Sequence, residues 1–241
     1  MRTRQEIKAI GKSRFKANYW PCVLACLLVT AIIGVITSIS YGPTYTATIN
    51  AAMSGSEPEI TTTASGGSFI GGIALFILSG PLTIGLNHFF VMNVLGRSDI
   101  TALTPVTAAF NPNFGRKLGG YLWMILFVFL WSLLFWIPGI IKSFSYAMAP
   151  YILADCPNVK AKDALKLSMR IMKGHKWEFF VLELSFIGWA ILGGLTMGIL
   201  NIFYVDPYMN SSLATYYLEV REQALRTGVI SMGQLEGTEA V

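Results

Sequence analysis

Residues 118–153 read LGGYLWMILFVFLWSLLFWIPGIIKSFSYAMAPYIL, and the only charged side chain in the stretch is Lys142. Taken as one helix, these 36 residues would extend about 54 Å at 1.5 Å per residue. A bilayer core is about 30 Å thick, and tilt alone does not absorb such an excess. Ile137-Pro138-Gly139 is therefore expected to reverse the chain. Proline cannot continue the helical hydrogen bonding of the preceding turn, and glycine frees the backbone beside it. This reading gives one span over 118–136 and another over 138–153.

The composition outside this stretch agrees. Hydrophobic residues make up 54% of the 241, charged residues 13%, and the mean hydropathy is +0.55. A soluble domain carries about 25% charged residues, so the chain lacks the means to cover a water-facing surface. Further apolar runs occupy 20–40, 68–94 and 179–200, and a more polar one lies at 207–220. The expectation is an all-α polytopic transmembrane bundle of six spans over residues 20–224. The last run contains Tyr208, Asn210, Ser211, Ser212, Thr215, Tyr216 and Tyr217 and would need shelter from the other spans. A surface-lying helix is its alternative, which leaves five spans. Residues 41–67 have no Lys, Arg or His and carry Glu57 and Glu59, which fits a mobile extracytoplasmic loop. Residues 225–241 are expected to be a flexible cytoplasmic tail.

Charge sets the orientation. Six basic residues precede the first span, three lie between the second and third, six between the fourth and fifth, and two follow the sixth. Only Lys142 of the 18 departs from this side, so the positive-inside bias makes both termini cytoplasmic. The basic start ahead of a long apolar run reads as a retained signal-anchor rather than a cleaved signal peptide. A net charge of +5 is accounted for by these flanks, and no nucleic-acid partner is inferred from it.

Two basic segments have helical spacing. In residues 1–19, Arg4, Lys8, Lys12 and Lys16 recur every four residues, with Ile7, Ile10 and Phe15 away from them. In 160–174, Lys162, Lys166, Arg170 and Lys173 form a cationic stripe and Ala161, Leu165, Met169 and Met172 an apolar one, with Gly174 set to end the helix. Lys8, Lys12, Lys16, Lys162, Lys166, Arg170 and Lys173 are thus candidates for contact with anionic lipid headgroups or a protein partner on the cytoplasmic side. A plain solvated flank is the alternative for the first segment.

Candidate chemistry is sparse. No nucleophile motif, Walker loop, dinucleotide fingerprint or zinc spacing is present. Cys22, Cys26 and Cys156 suggest no disulfide framework. No enzyme, cofactor or metal is expected. The ionisable or polar intramembrane candidates are Asn87, His88, Lys142 and Glu183, each close enough to an interface for snorkelling to explain it. Gly80-Pro81 is expected to kink or break the second span as a hinge, and a broken helix is where a transporter would bind its cargo. Gly67-x3-Gly71 and Gly194-x3-Gly198 have the spacing of helix-packing motifs.

Several stretches resemble a known family: GPLTIG (80–85), Ala109-Phe110 to Phe114, IPGIIKSFSYAMAPYILAD (137–155), ALKLSMRIMKGHKWEFF (164–180), LSFIGW (184–189) and Pro207-Tyr208. In combination they resemble the bacterial membrane-protein family catalogued as domain of unknown function 975. They are also distantly similar to the membrane domain attached to some glycerophosphodiesterases, whose soluble catalytic domain is not among these residues. The resemblance implies a multi-helix plasma-membrane protein and transfers no catalytic residue. The function expected is a non-enzymatic scaffold, partner subunit or lipid-interacting component, with a small transporter or channel as the alternative.

Overall fold

The first helix, α1 (Arg4–Ala17), begins at a capping box. The Glu6 amide donates to the Thr3 hydroxyl, and the Glu6 carboxylate accepts the Thr3 amide at 2.7 Å. These hydrogen bonds to Thr3 hold the Glu6 carboxyl below its ordinary value of 4.5. Its contribution is therefore complete above pH 4.5 and is lost as the pH falls through the folded value. Stability curves of wild type and Glu6→Gln should accordingly converge in acid and separate near neutrality. A separation independent of pH would contradict this.

The computed structural model describes residues 2–54, 66–97, 99–110, 113–134 and 136–241, with no side-chain description for 40–52, 66–70, 134, 136 and 137. It is all-α, with no strand among the described residues. Ile7, Gly11 and Phe15, one helical turn apart, form the buried stripe of α1. That stripe packs on the last long helix, and an added Cβ at Gly11 would stand 2.7 Å from the Cα of Ser212.

Helix α2 (Tyr19–Ser54) runs for 36 residues, well past the end of the span expected at 40. Residues 41–54 are helical, which corrects the loop expected over 41–67. Freedom from charge says nothing against a helix, and Ala47, Ala51 and Ala52 favour one. The rest of that expected loop, with Glu57 and Glu59, lies mostly outside the described residues. Helix α3 (Gly66–Val94) passes through Gly80-Pro81 without interruption, so of the kink or break expected there the break is absent. The Thr83 hydroxyl donates to the Ser79 carbonyl at 2.8 Å beside the proline. Gly80 lets the Tyr121 ring lie directly on the backbone. Neighbours hold this segment together.

A short helix, α4 (Thr104–Phe110), packs on α3 where Gly85 allows backbone contact with Pro105 and Ala109. Helix α5 (Phe114–Leu134) then runs antiparallel to α6 (Trp136–Tyr146) and α7 (Ala149–Asp155). Gly139 abuts Ser132, Tyr146 lies 6.4 Å from Phe127 between ring centroids, and Gly120 abuts Leu153. The chain reverses near Pro138, as its length requires. Helix α8 (Ala161–Ile171) buries Ala164, Leu165, Leu167, Ser168 and Ile171. The expected stripe through Ala161 and Met169 is therefore displaced, because this helix packs on α5, α6 and α7 together and needs a wider face. Gly174, with φ +91°, closes the turn behind it.

The segment expected as span five is interrupted. Helices α9 (Lys176–Leu184) and α10 (Ile187–Leu195) are separated at Ser185-Phe186. A turn with Gly198 at φ +86° and a π-helical stretch at Asn201–Val205 then lead into α11 (Asp206–Arg226). The two arms form a hairpin. Ring centroids of Trp189 and Tyr204 are 5.3 Å apart, Phe186 and Tyr208 5.2 Å, and Phe179 and Tyr216 5.4 Å. Helix α1 lies antiparallel along α11: Arg2 pairs with Glu219, Gly11 meets Ser212, and Phe15 packs on Tyr204. Helix α11 is buried nearly all round, which accounts for its tyrosines, serines and threonine. Gly194 and Gly198 face open space, so they pack against no helix among the described residues.

The C-terminal residues are folded, correcting the flexible tail expected over 225–241. Ser231 and Gln234 form a capping box at α12 (Met232–Glu236), Gly237 takes φ +73° behind it, and Ile230 and Leu235 are buried. Four helical stretches among the described residues are long and apolar enough to cross a membrane: Tyr19–Ile39, Gly71–Val94, Phe114–Leu133 and Lys176–Leu195. Only 11% of the third is buried in protein, so its Leu126, Phe129, Leu130 and Leu133 need an apolar solvent.

Candidate functional site

The elements converge on a polar cluster where α3, α5, α7 and α11 meet. Asp155 closes α7 and is 10% exposed; its carboxylate receives the Arg221 guanidinium and, at 2.9 Å, the Tyr217 hydroxyl from α11. Tyr217 is fully buried and stacks on Tyr151 at 5.4 Å. Arg116, near the start of α5, donates to the carbonyls of Leu153 (2.7 Å), Cys156 (3.0 Å) and Val159 (2.7 Å). It thereby satisfies the last carbonyls of α7 with a cation, which the helix dipole favours. Burial pushes the Cys156 thiol up to about 12, so Cys156 is an inert thiol here.

Beside this cluster opens a cleft of ≈460 Å³ bounded by His88, Thr104, Thr107, Arg116, Lys117 and Asp155. His88 Nδ1–H donates to the Ala154 carbonyl at 2.8 Å. The ring is thereby oriented with Nε2 left as an acceptor. Lys117 donates to the Ala108 carbonyl. The charged groups of the cleft are largely engaged in holding helix ends. Among the described residues no group of three or more His, Cys, Asp or Glu gathers as for a metal.

The four intramembrane candidates are not brought together. Asn87 is buried and His88 half-buried on α3. Lys142 stands 4.7 Å over the Trp131 ring near the α5–α6 reversal, and Glu183 is half-buried on α9. His88 alone lines the polar cleft. Asp155, Arg221 and Tyr217, which anchor it, were missed by sequence reasoning. Asp155 was legible as an acid ending an apolar run, but its partner lies 66 residues away.

The basic candidates divide into two groups. Lys8 is drawn inward, with its ammonium 3.1 Å from the Ser185 hydroxyl and 4.3 Å from the Phe186 ring centre. Burial, and then the Arg4 charge, lower its pKa. Lys162 lies over Trp123 at 4.6 Å, and Lys166 pairs with Asp163 at 3.4 Å. Lys12, Lys16, Arg170 and Lys173 are exposed and lack an ion-pair partner among the described residues. The helices of Lys12, Lys16 and Arg170 are fixed by their opposite, buried faces, and Lys173 sits in the turn that closes α8.

No curated protein and no solved structure matches this chain. A family model described as "Protein of unknown function (DUF975)" matches residues 133–224. That stretch takes in α6 to α10 and all but the last residues of α11. Over the helices that carry Asp155, Tyr217 and Arg221, the chain is therefore similar to a family of unknown function.

Proposed function

We propose that this is a non-enzymatic multi-pass protein of the plasma membrane that works against lipid on its cytoplasmic side, as a scaffold or partner subunit. The observation that carries the reading is the set of exposed cations, Lys12, Lys16 and Arg170 on helices packed into the fold and Lys173 in the turn that closes α8. Anionic headgroups complement them, each near-surface cation contributing about 1 kcal/mol. The transport reading relied on a broken α3, and that helix is continuous.

The register of α1 bears on topology. Arg4, Lys12, Arg14 and Lys16 are exposed along its whole length, and each would cost about 2.5–3.5 kcal/mol against hydrocarbon. So α1 lies outside the hydrocarbon, and α11, paired along it from Tyr204 to Glu219, shares its depth. This supports a reading with four crossings (α2, α3, α5 and α6–α7) in place of six, in which Lys176–Leu195, though long and apolar enough to cross, lies at the interface, and both termini are cytoplasmic in either case. The α9–α11 hairpin then rests at the cytoplasmic interface and dips its tip, Leu195, Met197 and Ile199, into the lipid. Met197 is 94% exposed. Six crossings would put this tip outside the cell. A Met197→Cys variant should resist a membrane-impermeant maleimide applied to intact cells, and the buried Cys22, Cys26 and Cys156 keep the background low. Labelling from outside would restore the six-span reading.

The lipid reading has its own test. In nanodiscs, anionic phospholipid should raise the melting temperature of the wild type above its value in neutral phospholipid. Reversing Lys12, Lys16, Arg170 and Lys173 to glutamate should abolish that difference; an undiminished one would remove the basis of the reading.

A further inference from the structure

A cavity of ≈630 Å³ lies between the first turn of α1 and the first turns of α9. Its floor is apolar: Ile7, Val181, Leu182 and the ring of Tyr216. Its rim carries two guanidinium groups, Arg2 and Arg4. Arg2 is steadied by Glu219, its amide donating to the carboxylate at 3.0 Å and its guanidinium 3.4 Å away. Arg4 is exposed, with no hydrogen-bond or ion-pair partner among the described residues. The acid on the same rim, Glu178, is engaged by His175 Nδ1 at 3.1 Å. The Trp177 indole, 71% exposed, stands at the mouth.

An apolar trough with a cationic rim and an exposed indole matches one kind of occupant. Phosphate takes bidentate hydrogen bonds from guanidinium groups. Indoles favour the level of lipid headgroups. The trough wall is also where the 20-residue apolar stretch Lys176–Leu195 begins, so acyl chains and phosphates are both at hand. The capping box already occupies the Thr3 and Glu6 amides of α1, and the guanidinium groups are the charged donors at the rim. We infer that this groove seats one anionic phospholipid, its phosphate at Arg2 and Arg4 and an acyl chain along Val181, Leu182 and Ile7. The inference rests on the reading that this layer faces cytoplasmic lipid.

The test is native mass spectrometry of the full chain in detergent, titrated with phosphatidylglycerol, phosphatidylcholine, glycerol phosphate or inorganic phosphate. One saturable phosphatidylglycerol is expected, with phosphatidylcholine weaker. Arg4→Gln with Trp177→Ala, both on exposed side chains, should weaken it roughly tenfold, one guanidinium–phosphate contact being of that order. Lys12→Gln with Lys16→Gln should leave this one lipid in place. Retention of the lipid by the Arg4/Trp177 variant would overturn the inference, as would equal binding of phosphatidylcholine. Displacement by free phosphate as readily as by phospholipid would assign the site to an inorganic anion and overturn the lipid. If the saturable site is missing while the nanodisc stabilisation persists, the groove assignment alone fails. If the site is present and the stabilisation is not, the broader reading fails.

Discussion

Asp155→Ala should destabilise the folded protein by about 3–5 kcal/mol, the cost of breaking a buried ion pair from one side. The carboxylate is nine-tenths buried and serves two donors, Arg221 and Tyr217. Its removal leaves a half-buried guanidinium without its anion and a buried phenol without an acceptor, each of which carries its own desolvation cost. Arg221→Met alone should cost less, since the Tyr217 hydrogen bond to Asp155 survives it. The exposed pair Arg226–Glu222, one turn further along α11, is the control, and its disruption should cost less than about 1 kcal/mol. Chemical denaturation in detergent micelles measures all three. An Asp155→Ala midpoint equal to that of the surface control would show that the cluster does not hold α7 to α11.

The second large effect is steric. At Gly85 an added Cβ would overlap the Pro105 carbonyl oxygen and stand 2.9 Å from the Ala109 amide nitrogen. Both are backbone atoms of α4, so no rotamer change relieves the overlap and the two helices must separate. Overpacking of this kind costs about 1–3 kcal/mol or more, and Gly85→Ala should fall at the upper end with Gly85→Val beyond it. Gly34 offers a clean comparison. It lies within α2 with nothing within 4 Å of an added Cβ, and replacing a helical glycine by alanine removes a backbone penalty of roughly 0.5–1 kcal/mol. Gly34→Ala should therefore be neutral or stabilising. Thermal melts of the two variants should diverge in opposite directions; a shared sign would refute the packing account.

What the sequence made legible follows from period, length and charge. The reversal near Pro138 was readable because a largely apolar stretch of 36 residues cannot fit in one crossing. The helical nature of α1 and α8 was readable from four-residue charge spacing, yet their partners were not. Spacing shows that Ile7 and Phe15 share a face and leaves open whether that face meets lipid or protein. Helix α11 was the hardest case, since Tyr216, Tyr217, Ser211 and Ser212 look too polar for burial until α1, α3 and α9 surround them. The continuity of α3 depended on Tyr121 and Thr83 beside Gly80-Pro81, contacts that no local rule contains. At the candidate site, His88 was readable as a polar group in an apolar run. Asp155 and Arg221 were not, because their meaning lies in a contact between distant parts of the chain. The folded tail had a signal that went unused: Ser231, Gln234 and Gly237 have the spacing of a capped helical turn.

The seating of α1 on α11 has a consequence for biosynthesis. Arg2 and Glu219 are 217 residues apart, and translation proceeds at about 5–20 residues per second. For roughly 10–40 seconds after α1 leaves the ribosome, its final resting place has not yet been made. Throughout that interval Ile7 and Phe15 lack the cover that α11 gives them, and the nearest apolar phase is the membrane beside α2. The newborn helix therefore has two successive homes, a lipid surface first and α11 second. The exposed basic residues of α1 would hold it at the first until the second arrives.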